Sequence, residues 1–220
     1  MPDGALEALL PENVAMALRD EPDAAGFLEA YAMLDRQPVE ALRRLEMLAD
    51  QGSLLSLVFL GDAYLYGRGV DPDVERGKAY LFKAAKAGSI EASFRLARFL
   101  GRNGDTEESI DALRKLAERG YSPAMYLLGW RYYRGIGVDE DPAAAFHYWK
   151  MADRNGHLLA RQHLFHTYRS GRCGVGKRIL GYLGMVGFIP VFVKYKMKHP
   201  NSDRLRQWAI NSPPELSRWS

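Results

Sequence analysis

Several stretches of this chain carry residue types that could do chemistry. Gly171-Arg-Cys-Gly-Val-Gly-Lys177 has the glycines and the lysine of a phosphate-cradling loop. That chemistry also needs a Ser or Thr directly after the lysine to hold the metal, and Arg178 stands there instead. His163 and His166 are spaced to put two imidazoles on one helix face, but no Cys or carboxylate cluster near them completes a metal site. Asp139-Glu140-Asp141 would attract a cation, yet acids at a helix N-terminus serve the orphan amides there more simply. Cys173 lacks the His and Asn set that would make its thiol a nucleophile. No nucleophile–base arrangement emerges. The expectation is a non-enzyme with no catalytic residues, no metal and no other cofactor.

Aromatic side chains suggest binding instead. Tyr126, Trp130 and Tyr133 follow one another at spacings of four and three, which puts them on one face of a helix. Large amphipathic rings on a partly exposed face are what a protein interface uses as anchors. They would equally well pack against a neighbouring helix.

What positions these residues is a repeat. Gly52, Gly88, Gly120 and Gly156 open four related stretches, 36, 32 and 36 residues apart. Such self-similarity marks a solenoid of stacked helix pairs. Each unit begins with a helical apolar pattern, as in Ala124, Leu128, Gly129 and Tyr132. The glycine loops Gly67-Arg-Gly-Val and Gly135-Ile-Gly-Val let the chain reverse. A second helix starts at Asp73 or Asp141 and is closed by Gly88 or Gly156. The spacing predicts pairs over 54–66 with 73–86, 90–101 with 105–118, and 122–134 with 141–154. Gly61, Ala97 and Gly129 share one register, where two helices approach closely. Tyr64, Tyr132 and Tyr168 share another and read as inter-helix packing. In this alignment the counterparts of Tyr126 are Val58, Phe94 and Gln162; those of Trp130 are Asp62, Arg98 and His166; those of Tyr133 are Leu65, Gly101 and Arg169. The trio therefore lies in a variable register.

The pattern Leu60-Gly61, Tyr64, Gly67, Gly69-Val70, Asp73, Lys83-Ala84-Ala85 and Gly88 recurs as Leu128-Gly129, Tyr132, Gly135, Gly137-Val138, Asp141, Ala152 and Gly156. It resembles the Sel-one-like repeat family, a relative of the tetratricopeptide repeat. The resemblance is strong from Gly52 to Gly156 and weaker outside. It implies an all-α solenoid of antiparallel helix pairs forming a right-handed superhelix, whose usual role is to scaffold protein complexes. Bacterial members suggest regulatory or envelope-associated complexes, polysaccharide assembly among them, by analogy only. Some relatives are linked to β-lactam hydrolysis, but the paired cysteines of the secreted members are missing here.

Composition agrees with a soluble chain: 47% apolar and 26% charged residues in 220. One cysteine allows no internal disulfide framework and suits a reducing compartment. Met1-Pro-Asp-Gly-Ala-Leu-Glu is not a secretory signal, so the expected location is cytoplasmic, with peripheral attachment at the inner face of the membrane. That attachment is suggested by charge. Residues 169–220 hold ten Lys and Arg against two Asp and Glu, whereas the rest of the chain is net acidic.

Three segments follow. Residues 1–51 read as a capping helix over Ala5–Arg19 and a degenerate pair over Ala24–Leu34 and Val39–Asp50. Residues 52–176 form the array. Residues 177–220 are an apolar and basic tail, with no charge from Ile179 to Val193. As a helix that run is about 22 Å long, short of the ~30 Å hydrocarbon core, and Pro190 interrupts it. It reads as an interfacial segment presenting Leu180, Leu183, Met185, Phe188, Ile189 and Phe192 to lipid. Lys177, Arg178, Lys194, Lys196 and Lys198 would meet anionic headgroups. Gly181, Gly184 and Gly187 would seat the segment on the preceding helix. The alternative is a final helix that caps the array or meets another protein. The interleaving of charge with apolar residues argues against a nucleic-acid partner.

Overall fold

The computed structural model describes Leu18, residues 21–34, 36–104 and 106–169, and within the tail residues 183–187, 189–191, 193–194 and 197. The capping helix expected over Ala5–Arg19 lies outside the described residues save for Leu18. All regular structure among them is helical. The helices are α1 (Ala24–Met33), α2 (Pro38–Asp50), α3 (Leu54–Tyr66), α4 (Val74–Lys86), α5 (Ile90–Arg102), α6 (Thr106–Glu118), α7 (Ser122–Arg134), α8 (Pro142–Arg154) and α9 (Leu158–Arg169). The fold is an all-α solenoid of antiparallel helix pairs, as the repeat spacing predicts.

The second helices begin one residue later than expected because the acids act as caps rather than as first residues. Asp73 Oδ1 accepts from the Arg76 amide at 3.0 Å, and Asp141 Oδ1 accepts from the Ala143 and Ala144 amides. Serines do the same for the first helices: Ser53 accepts from Ser56, and Ser89 from Ala92. The loops repeat bond for bond. Gly67 and Gly135 are left-handed at φ 66° and 62°, and their amides donate to the Ala63 and Arg131 carbonyls. The capping aspartate's own amide then donates back to the tyrosine carbonyl of the first helix, Asp73 to Tyr64 at 2.8 Å and Asp141 to Tyr132 at 2.9 Å.

The chain divides into two compact units, with the division between Ala112 and Leu113 in α6. It thus falls inside the array expected over 52–176 rather than at an end of it. In the unit up to Ala112, α1 and α2 form the degenerate pair expected from the sequence, and α2 packs on α3. Phe27 and Tyr31 of α1 meet Phe59 of α3 edge-on. Within the α3–α4 pair, a Cβ on Gly61 would come within 2.5 Å of Leu81 Cγ, so the helices touch where the sequence is small. The register of Gly77 and Ala145 extends back to Ala41, and all three are buried. Ser109 occupies that register in α6, and its hydroxyl donates 2.6 Å to the carbonyl of Ala97, the residue at the Gly61 position of α5.

In the unit from Leu113, α7 packs on α8 and α8 on α9. A Cβ on Gly129 would overlap the Trp149 indole. Tyr132 stacks on Tyr148 at 5.5 Å, as Tyr64 stacks on Tyr80 at 5.7 Å in the first unit. Tyr168 meets Phe146 edge-on. The tyrosine register is inter-helix packing in all three places.

Candidate partner-binding surface

The aromatic trio sits in the densest ring cluster among the described residues, and its members differ in exposure. Tyr126 is 4% exposed and stacks on His157 at 4.5 Å, with its hydroxyl accepting from Trp130 Nε1 at 2.8 Å. Burial pushes its phenol pKa up. Tyr126 therefore supports the surface from beneath, unlike the partly exposed residue expected from sequence. Trp130 and Tyr133 are half-buried. They meet each other edge-on, and both lean on Trp149, whose Nε1 donates to the Tyr126 carbonyl at 3.3 Å.

His163 completes the cluster. Its ring stacks on Trp149 at 5.3 Å, meets Trp130 edge-on at 4.9 Å and lies 5.6 Å from Tyr126. Burial among these rings, helped by the nearby His166, pushes its pKa down to about 4. His163 thus packs as a neutral ring. His157 stands just before α9 and caps it, its Nδ1 accepting from the Ala160 amide at 3.3 Å. Among the described residues no group of three or more His, Cys, Asp or Glu is arranged to hold a metal.

Sequence reasoning missed Trp149, His157 and the packing role of His163, although the register carried the signal. Trp149 stands where Leu81 stands two units earlier, and His163 where Arg95 stands. The solvent side of α7 then reads Pro123, Leu127, Trp130 and Arg134, spaced four, three and four, all partly or fully exposed. Arg131, four residues on from Leu127, is 8% exposed and makes no ion pair with a described residue; burial pushes its pKa down.

The tail supplies a second surface. Among its described residues Leu183, Val186, Ile189, Val191, Val193 and Met197 are exposed, Leu183 at 65% and Met197 at 79%. Met185 is half-buried and Lys194 exposed. Gly184 sits so close to the Phe165 ring of α9 that a Cβ there would overlap it, so this glycine seats the segment as expected. Gly187 has nothing within 4 Å of where a Cβ would be, and does not. Lys177, Arg178, Leu180, Phe188, Phe192, Lys196 and Lys198, with Gly181, lie outside the described residues. Among those described, no helix is long and apolar enough to cross a membrane.

Comparison with known proteins places the repeats. The Sel1 repeat family model matches residues 55–89 and 122–157. A solved Sel1 repeat protein from Oxalobacter formigenes is similar in fold, with a TM-score of 0.61, 26% identity, and coverage of 77% of this chain and 76% of that one. A protective antigen of uropathogenic Escherichia coli strains, displaying an SLR fold, matches with a TM-score of 0.58 at 24% identity, over 79% of this chain and 40% of its own. An uncharacterized protein of Neisseria meningitidis serogroup B is 31% identical over 165 residues, which is 71% of this chain. The chain spans about a third of that relative's length, 34%. The loop, cap and small-residue registers all repeat within the matched stretches, so residues 55–89 and 122–157 match the Sel1 repeat family, and the fold of the chain is similar to that of solved Sel1 repeat proteins.

Proposed function

We propose that this protein is a scaffold that binds a protein partner through α7 and attaches peripherally to an anionic membrane surface through its tail. Sel1 repeats are protein-interaction scaffolds, and the fold is typically non-catalytic. The partner-binding part rests on Trp130 and Tyr133, two half-buried rings in a register that varies between units. Trp130→Ala should weaken capture of such a partner by about 2 kcal/mol or more.

The observation that carries the membrane reading is the row of exposed apolar side chains from Leu183 to Met197. Apolar side chains in water forgo about 25 cal/mol per Å² that burial would return. Basic residues flank them, each worth about 1 kcal/mol near an anionic surface. Gly184 on Phe165 favours a second reading for the first turn only, in which the segment starts as a cap on α9. Flotation of the full chain with phosphatidylglycerol vesicles tests the proposal. Binding at low salt that weakens with added salt, and that is lost when Leu183, Val186 and Ile189 are changed to serine, supports it. A protein that stays unbound at low salt, or binds equally well as the triple variant, removes the membrane from the reading.

A further inference from the structure

We infer that the outer strip of α8 lies against the same anionic bilayer as the tail, so that a row of cations on the array stands beside the tail's apolar row. This rests on the membrane reading of the tail, and adds the surface of the array that faces lipid. On α8, His147, Lys150 and Arg154 follow one another at spacings of three and four, and all three are exposed. The residues 36 positions further on, the distance from Gly120 to Gly156, are Leu183, Val186 and Pro190. These are exposed as well. Trp149, buried on the opposite side of α8, has half-buried Met185 as its counterpart. In an array of stacked units, one register points the same way in neighbouring units. The two strips are therefore adjacent rows of one face, basic on α8 and apolar on the tail.

Contacts agree with this placement. Tyr168 of α9 meets Phe146 of α8 edge-on at 5.3 Å, and Lys150 stands over the same Phe146 ring at 5.4 Å. Phe165, one turn before Tyr168, is the residue that receives Gly184. The α8 row thus adjoins the helix on which the tail is seated. Asp153 is the one acid in the sequence of α8 and α9, and Arg161 holds it at 2.6 Å. Lys150 and Arg154 make no ion pair with a described residue. The loop acids Asp139 and Glu140 precede α8, at the end away from Arg154. On α4 of the first unit, by contrast, Lys78 bridges Glu75 at 2.7 Å and Lys83 lies 3.8 Å from Asp50. Cations beside exposed apolar side chains are what an anionic bilayer attracts at close range.

Flotation of the full-length chain at low salt, with vesicles of phosphatidylglycerol in phosphatidylcholine, tests this. Lys150→Glu combined with Arg154→Glu should weaken binding by roughly tenfold or more, because each charge counts close to the surface. Lys83→Glu combined with Lys86→Glu on α4 makes the same change in net charge and should stay within about threefold of the wild type. Should the α8 double variant lower the melting temperature, Arg154→Glu alone replaces it, with a loss of about threefold or more expected. Equal weakening by the α8 and α4 variants, an α8 variant that binds as the wild type does, or equal binding to phosphatidylcholine alone overturns the inference. The serine variant at Leu183, Val186 and Ile189 keeps the two readings apart. If it abolishes binding while the α8 variant binds normally, the tail alone meets lipid. If the wild type itself stays unbound at low salt, both readings fall.

Discussion

At one register of the repeat, α3 carries Asp62, which meets Arg95 of α5; α7 carries Trp130, which meets His163 of α9. The residues are separated by the same number of positions in each pair, and the loops and caps around them match. Further substitutions accompany this exchange: Val58 becomes Tyr126, Leu65 becomes Tyr133, and Leu81 becomes Trp149. The first unit closes this seam with an ion pair and aliphatic packing, and the second with stacked and edge-on rings. An ion pair is directional and self-neutralising. A ring cluster fills volume and tolerates partial exposure. The same backbone register can therefore hold an ion pair in one place and a partly exposed aromatic cluster in another.

The largest effect should come from removing the centre of the ring cluster. Trp149 is 2% exposed, touches Trp130, Tyr133 and His163, and donates to the Tyr126 carbonyl. Trp149→Ala should cost about 3–5 kcal/mol, the range for emptying a large buried site, read by urea denaturation. Hydrogen exchange should place the loss in α7–α9 and spare α1–α4. A cost below about 1 kcal/mol would mean that the rings are in contact without being packed.

Next in size is the small-residue register. Gly129→Ala drives a methyl into the Trp149 indole, which is pinned by its rings and its hydrogen bond. Gly61→Ala meets Leu81, whose branched end can turn aside. Overpacking costs about 1–3 kcal/mol, and Gly129→Ala should fall at the upper end with Gly61→Ala below it. Trp149→Leu, which restores the first unit's residue, should rescue part of the Gly129→Ala loss in the double variant. Additive costs, or a larger loss at Gly61, would break the comparison.

The division between what could and could not be read from sequence follows the same physics. Helix bounds, caps and the Gly61 and Gly129 contacts were legible because they depend on local backbone chemistry: an acid or serine at the N-cap, a glycine where φ is positive. The tyrosine register was legible because it recurs. Side-chain placement within the variable register was not. The sequence puts Tyr126, Trp130 and Tyr133 on one face, but burial of Tyr126 depends on His157, His163 and Trp149, which come from two other helices. The packing role of His163 was not legible because a sequence cannot show three aromatic rings gathering round it. Met185 and Gly187 illustrate the limit in the tail. A glycine at every third position predicts a face, but of the two described glycines Gly184 meets Phe165 and Gly187 meets nothing.

Acid should also act on the two units differently. All five histidines lie between residues 147 and 199. The folded state holds His163 at a pKa of about 4 against an ordinary 6.5. A base with a depressed folded pKa contributes full stability above the ordinary value and loses it as pH falls towards the folded one. Stability should thus drop between pH 6.5 and 4, on the order of 1–2 kcal/mol once solvent access to the half-buried residue is allowed for. His163→Phe should flatten this window while leaving α1–α4 unchanged by hydrogen exchange. An identical pH profile for the variant would place the titration elsewhere.

The smallest effect is expected at the ion pair itself. Asp62 and Arg95 have side chains 13% and 20% exposed, between a surface bridge and a buried one. Breaking a buried pair costs about 3–5 kcal/mol because one charge is left uncompensated, whereas exposed pairs return about 0–1 kcal/mol. Arg95 also holds Glu91 on its own helix at 2.8 Å, so Asp62→Asn leaves the guanidinium with a carboxylate. The cost should therefore be about 1 kcal/mol, and Glu91→Gln alone should be similar. Removing both takes two carboxylates from the arginine, and the double variant should lose more than the sum of the single changes. Denaturation of the three variants checks this. Additive losses would mean that Arg95 is solvated enough to need neither acid, and the first unit's seam would then owe its stability to Val58, Leu65 and Leu81 rather than to charge.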